Sequence, residues 1–154
     1  MKDAISLVQK RKNKNKKIVL VGGCFDILHI GHITFLEKAK KEGDVLVVLL
    51  ESNQSIRKSK GKDRPINSLK DRAKILSALK YVDVVIPLPP METDQEYDNL
   101  IGKIHPDIIA ITKGDPGISH KKRQAKKLGI KLKIVTNIIK DSSTTNLIKL
   151  LGYF

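Results

Sequence analysis

Five short apolar runs, each followed by a polar turn and a stretch with helical spacing, recur along the chain. This alternation limits the possible folds more than any other feature. The runs are residues 17–23 (KIVLVGG), 44–52 (DVLVVLLES), 82–88 (VDVVIPL), 106–112 (PDIIAIT) and 131–136 (KLKIVT). Apolar runs with little internal alternation belong to strands covered on both faces. Between them, residues 32–43 (HITFLEKAKKEG) place Ile33, Leu36, Ala39 and Lys40 at helical spacing, with Gly43 as a stop signal. Ser68 with Asp71 resembles a capping box opening residues 69–80, and Thr93 with Glu96 opens residues 93–104. Residues 119–129 (SHKKRQAKKLG) read as a basic helix and residues 142–152 (SSTTNLIKLLG) as a last one. Residues 52–67 (SNQSIRKSKGKDRPIN) read as a polar, Lys-rich loop, and residues 3–12 as a short leading helix.

Strands alternating with helices at this spacing require right-handed crossovers. The expected fold is α/β: a single Rossmann-like, doubly wound, five-stranded parallel sheet with helices on both faces. With no internal repeat and no composition break, residues 1–154 are expected to form one domain, with residues 1–16 as a basic N-terminal lead-in. In such sheets ligands bind outside the carboxyl ends of the strands, where loops enter helices. The unusual polar motifs of this chain all fall there.

Composition narrows the function classes. Aromatics make up 4% of the 154 residues, with no Trp, so the core must be built from Ile, Leu and Val. The formal charge of +14, from 30 basic and 16 acidic residues, suits nucleic acid, an anionic membrane surface or phosphorylated small molecules, or simply a solvated lysine coat. The densest basic cluster, residues 9–17 (QKRKNKNKK), has no interleaved aromatics and reads as a solvated linker into the first strand, so nucleic acid is not the expected partner. The single cysteine cannot build a disulfide framework or a zinc cluster. No stretch approaches the ~18 apolar residues of a membrane span, and no apolar leader opens the chain. A soluble, cytoplasmic protein is expected.

The most informative segment is residues 21–35, VGGCFDILHIGHITF. It fits neither G-x-G-x-x-G nor G-x-x-x-x-G-K-[ST]. His29 and His32 stand three apart at a helix start and so share a face. Gly31 between them leaves room for an anion, and the unpaired helix amides attract negative charge. Two imidazoles there can hold phosphate oxygens and the charge that builds during displacement at phosphorus. A zinc pair would need further ligands, and His105 and His120 lie far along the chain. General acid–base work stays open, with Asp26 the one carboxylate close in sequence.

The stretch GGCFDILHIGH resembles the signature of the HxGH nucleotidyltransferases, the cytidylyltransferase-like superfamily. The likeness extends over nearly the whole chain: residues 60–86 are similar to the family's second block, PDIIAITKGD to its fourth-strand segment, and SSTTNLIKLL to its C-terminal helix start. Such enzymes let a phosphate attack the α-phosphorus of an NTP and release pyrophosphate. The resemblance implies that His29 and His32 contact the NTP phosphates and steady the transition state, with Lys60 as a further catalytic contact. It implies that Gly22, Gly23, Cys24, Phe25, Asp26 and Gly31 shape the nucleotide pocket, with Arg64 and Arg72 as further phosphate contacts. Lys113, Gly114 and Asp115 would lie near base and ribose, and Ser143, Thr144 and Thr145 near the triphosphate. Mg²⁺ is expected to arrive with the NTP, no protein residues being set aside for a metal.

The lead-in, the KGKDRPIN loop and the STTNLIK helix are most like the heptose-1-phosphate adenylyltransferase type, which joins ATP to a sugar phosphate. Glycerol-3-phosphate cytidylyltransferases, using CTP, and FAD synthetases are the alternatives inside the family, and a nucleic-acid-binding protein the alternative outside it. Two departures from the sugar-enzyme pattern, ESN after the second strand and a TKGDP turn shorter by about one residue, fall where acceptor and base should bind. A homodimer is the expected assembly.

Overall fold

The first strand, β1 (Ile18–Gly23), is fully buried over its first four residues and lies at the centre of the sheet. In the computed structural model the described residues are 1–137, 144–150 and 152. Around β1 run α1 (Lys2–Lys12), α2 (Ile30–Lys40), β2 (Val45–Leu50), α3 (Asn53–Lys60), α4 (Leu69–Ser77), β3 (Val84–Pro87), α5 (Asp94–Ile104), β4 (Ile108–Thr112), α6 (Ile118–Leu128), β5 (Lys131–Thr136) and α7 (Thr144–Leu150). The sheet order is β3-β2-β1-β4-β5, with every pairing parallel. The expected five-stranded, all-parallel, Rossmann-like α/β sheet is therefore the observed one. The chain winds outward from β1 to β3, then returns to the other side of β1 for β4. That reversal opens a crevice between the carboxyl ends of β1 and β4.

Strand parity sorts the core into two layers. Ile18, Leu20, Val45, Val47, Leu49, Ile109 and Ile111 pack on one face with Val8 of α1, Leu100, Ile101 and Ile104 of α5, and Ala125 of α6. Val19, Val21, Leu46, Val48, Leu50 and Ala110 pack on the other with Phe35, Leu36 and Ala39 of α2 and Leu76 of α4. Both faces of the central strands are thus dry, which is why β2 can be six apolar residues without alternation.

At the amino edge, three aspartates hold neighbouring strands by paired bonds. Asp107 accepts from Ile18 N at 2.7 Å and donates its own N–H to Ile18 O at 2.9 Å. Asp83 does the same with Leu46, at 2.7 and 3.1 Å, and Asp44 with Lys17, at 2.8 and 2.9 Å.

One segment differs from the sequence reading. The supposed loop at residues 52–67 contains α3, because the Ser52 hydroxyl caps its start by accepting from Ser55 N, and Ile56 is fully buried. One apolar residue in eight gives too weak a periodicity to announce a helix. The leading helix expected over residues 3–12 is present as α1, anchored by Val8 in the core. Three of its four cations, Lys10, Arg11 and Lys12, sit in the last turn, where a helix favours them. The caps of α4 and α5 are as expected: Ser68 accepts from Asp71 N, and Thr93 and Glu96 form a reciprocal capping box.

Candidate active site

The carboxyl end of β1 turns sharply into α2, and glycines make the turn possible. A Cβ on Gly23 would stand 3.0 Å from the Phe25 ring, and Phe25 itself takes a left-handed φ of 44°. Non-glycine residues avoid this region, so the packing of the buried ring must hold it there. The turn ends at His29, the N-cap of α2, whose Nδ1 accepts from Gly31 N at 3.1 Å. A neutral His29 ring therefore carries its proton on Nε2, where it can be donated. The ring of His32 lies 3.9 Å from that of His29, tilted by 34°, and 5.4 Å from the Phe25 ring.

Burial pulls both histidines below the ordinary imidazole value of 6.5, His32 down to about 4, with His29 and Lys60 adding to the shift at His32. Both rings are then neutral hydrogen-bond donors at neutral pH, free of the repulsion that two imidazoliums at this distance would suffer. The shift has a stability consequence. Between pH 6.5 and about 4 the unfolded chain takes up a proton at His32 that the folded chain refuses. Stability from this group is complete above pH 6.5 and falls as pH drops to about 4. Melting curves of the wild type and of His32→Asn across this window should converge as the pH falls.

Behind the histidines, Asp26 is buried and ties the turn to the segment after α3. Its Oδ2 accepts from Arg64 Nε at 2.8 Å and from Ile66 N at 2.9 Å, and its Oδ1 accepts from Asn67 N at 2.9 Å. The pair is dry, with the side chains only 1% and 7% exposed. Asp26 thus has no oxygen to spare for acid–base work; it orients Arg64. Among the described residues, Arg64 Nη2 and His32 Nδ1 are buried nitrogens without a hydrogen-bond partner. Arg64 borders a cleft of about 370 Å³ together with Lys60, Asp63, Thr145, Ile148 and Lys149.

Arg72 departs from the expectation of a phosphate contact. It is fully buried, donating to Asn67 O (3.1 Å), Cys24 O (2.7 Å), Glu51 O (2.9 Å) and Asn53 Oδ1 (2.8 Å). Its guanidinium joins the ends of β1 and β2 to the start of α3 and leaves no face for a ligand. Thr144 is also committed, its hydroxyl donating to Ile27 O at 3.0 Å and pinning α7 to the β1–α2 turn. Thr145 remains exposed at the cleft, and Ser143 lies outside the described residues.

The remaining candidates sit around the same edge. Gly22 has ordinary space above it, and Cys24 is a half-buried thiol that burial pushes up. Gly31 lies in the first turn of α2, and Lys60 ends α3 exposed. After β4, Lys113 and Gly114 are exposed, Gly114 at a φ of 79°. Asp115 is engaged locally, accepting from Gly117 N at 2.7 Å and pairing with Lys121 at 2.6 Å. Sequence reasoning passed over Glu51, Asn53, Asn67 and Tyr97 as individual residues. A charge ending an apolar run was the available signal for Glu51. Among the described residues no group of three or more His, Cys, Asp and Glu could hold a metal ion, and no helix is long and apolar enough to cross a membrane.

A parallel sheet with a reversed strand order, a sharp glycine turn and paired imidazoles at the following helix start define a nucleotide-handling α/β enzyme of the HxGH kind. The family description "cytidylyltransferase-like" matches residues 20–149, and the chain belongs to this family of nucleotidyltransferases. It is 46% identical over 104 residues to the bifunctional protein HldE of Sulfurimonas denitrificans, covering 68% of this chain and 21% of that protein. With HldE of Aliarcobacter butzleri the identity is 41% over 143 residues, covering 93% and 28%. The chain therefore spans only about a fifth to a quarter of the curated relatives it matches. Among solved structures it is similar to a lipopolysaccharide core biosynthesis protein from Thermoplasma volcanium, with a TM-score of 0.64 and 33% identity over 81% of this chain and 98% of that one. A pantoate–β-alanine ligase from Francisella tularensis, at TM-score 0.56 and 20% identity over 86% of this chain and 64% of that one, shares the fold.

Proposed function

We propose that this chain transfers the adenylyl group of ATP to a sugar 1-phosphate, a heptose 1-phosphate in the first instance, and releases pyrophosphate. The observation that carries the reading is the stacked, neutral imidazole pair at the start of α2, with the Arg64 guanidinium held by Asp26 through Nε and its Nη2 left without a partner among the described residues. Buried donors of this kind call for an anion. The sugar-phosphate assignment is supported by the HldE relatives and by the likeness to a lipopolysaccharide core biosynthesis protein.

In this reading an oxygen of the acceptor phosphate attacks the α-phosphorus. The bond from that phosphorus to the bridging oxygen breaks, and pyrophosphate leaves with the electron pair. His29 Nε2–H and His32 donate to the phosphate oxygens as charge gathers on them. Lys60 acts as a point charge and Arg64 as a fixed donor on the leaving side, near Thr145. Arg72 and Asp26 hold these groups in place. Mg²⁺ would enter on the triphosphate and neutralise part of its charge, which needs few protein ligands. We place the protein in the cytoplasm, as a homodimer whose mass light scattering would check.

The test is pyrophosphate release from ATP and CTP with sugar 1-phosphates, glycerol 3-phosphate and FMN, with Mg²⁺ and with excess chelator. ATP with a sugar 1-phosphate should turn over and stop on chelation. Turnover confined to CTP with glycerol 3-phosphate would replace the adenylyl reading with a cytidylyl one, and turnover with FMN alone would make the chain an FAD synthetase.

A further inference from the structure

Beyond the phosphate-handling groups, a carboxylate stands at the same edge of the sheet. Glu51 is the first residue after β2; its N–H donates to Gly23 O at 3.1 Å and its carbonyl accepts from Arg72 Nη2 at 2.9 Å. The backbone is thus fixed between the glycine end of β1 and the buried arginine. The half-buried side chain meets Tyr97 of α5, whose hydroxyl is shared between its oxygens at 3.0 and 3.2 Å. Burial pushes the carboxyl upward, while Tyr97, Lys121 and Arg72 pull it down.

Two further observations describe its surroundings. A Cβ on Gly22 would meet nothing nearer than Leu49, at 3.9 Å, so the end of β1 is bare on this side. Arg72 donates both to Cys24 O at 2.7 Å and to Glu51 O at 2.9 Å, so one guanidinium holds Glu51 beside the turn that leads to the histidines. A carboxylate offers about four acceptor positions, and one shared phenol hydroxyl fills few of them. The phenol oxygen can itself accept. Carboxylate and phenol together match the alternating donors and acceptors of neighbouring hydroxyls.

We propose that Glu51, backed by Tyr97, selects the acceptor, taking hydroxyl groups of a polyhydroxylated phosphate ester that lies over Gly22 with its phosphate towards the histidines. This rests on the nucleotidyl-transfer reading above. It accounts for a half-buried charge at a strand end where the sheet itself needs none.

Steady-state kinetics of Glu51→Gln and Tyr97→Phe test it, with a sugar 1-phosphate, its single-deoxy analogues and phosphoethanolamine as acceptors. Glu51→Gln should raise KM for the sugar 1-phosphate about tenfold or more, while KM for ATP and the melting temperature hardly move. One deoxy analogue should serve the wild type as poorly as the parent sugar serves the variant. Tyr97→Phe should show a smaller loss of the same kind. An unchanged acceptor KM, an equal loss on ATP and acceptor with earlier melting, or a wild-type preference for phosphoethanolamine would overturn the assignment. The wild type alone separates the two levels: no turnover with any sugar 1-phosphate defeats the catalytic reading, whereas normal turnover with an indifferent Glu51→Gln defeats only the role of Glu51.

Discussion

Replacing His29 or His32 by alanine should lower kcat by about 10²–10³, roughly 3–4 kcal/mol, while nucleotide affinity changes little. In the proposed reaction these imidazoles hold charge that exists fully only in the transition state. The ring centroids lie 3.9 Å apart and in the proposed reaction both act on one phosphoryl group, so the double variant should lose less than the sum of the two. His29 complicates a simple alanine test because it also caps α2 through Nδ1. Loss of a cap costs about 0.5–2 kcal/mol, so His29→Ala should melt earlier as well. His29→Asn separates the two roles: asparagine caps a helix as well as any residue, yet lacks the Nε2 donor. Normal melting with a depressed kcat is the expected pattern. Normal turnover per folded molecule in all four variants would remove the histidines from the mechanism.

The second large effect is on stability. Asp26→Ala should cost about 3–5 kcal/mol, because it strands the Arg64 guanidinium in a dry site and orphans the Ile66 and Asn67 amides. For a chain of this size that is a fall of roughly 10 °C in melting temperature. The double variant Asp26→Ala with Arg64→Met should recover part of the loss, since no unpaired charge is then buried. Catalysis should not recover with it, because the double variant lacks the donor proposed for the leaving group. Thermal unfolding beside pyrophosphate release on the three proteins measures both halves. A stable but inactive Asp26→Ala would instead give the carboxylate a direct chemical role.

The sheet was legible because five apolar runs and two capping boxes are local signals, each readable within about ten residues. The histidine pair was legible for the same reason: a helix start puts positions three apart on one face. What stayed hidden depends on contacts between distant segments. Arg72 reads like any helical arginine, and only the structure shows its guanidinium enclosed by Cys24, Glu51, Asn53 and Asn67. Asp26 looked like a pocket residue and proved to be the partner of Arg64, 38 positions away. Helix α3 was missed because a single buried residue, Ile56, carries its packing. The residues that line a site can be named from a motif. Which of them face the ligand and which hold the others still depends on the fold.

The three aspartates at the amino edge bear on a different problem, that of strand alignment. A strand such as VLVVLL, dry on both faces, would look nearly the same to its surroundings after slipping by one residue, so hydrophobicity alone sets its alignment weakly. Asp44, Asp83 and Asp107 supply what is lacking. Each clasps one particular residue of the next strand by both its amide and its carbonyl, and a slip would break both bonds at once. The alignment they set at one end is transmitted along six residues to the other, where Gly23 meets Leu50 and Glu51. A slip of one position would turn Glu51 to the opposite face of the sheet, away from Tyr97. The polar clasps at the bottom of the sheet therefore act as the gauge against which the catalytic edge is cut.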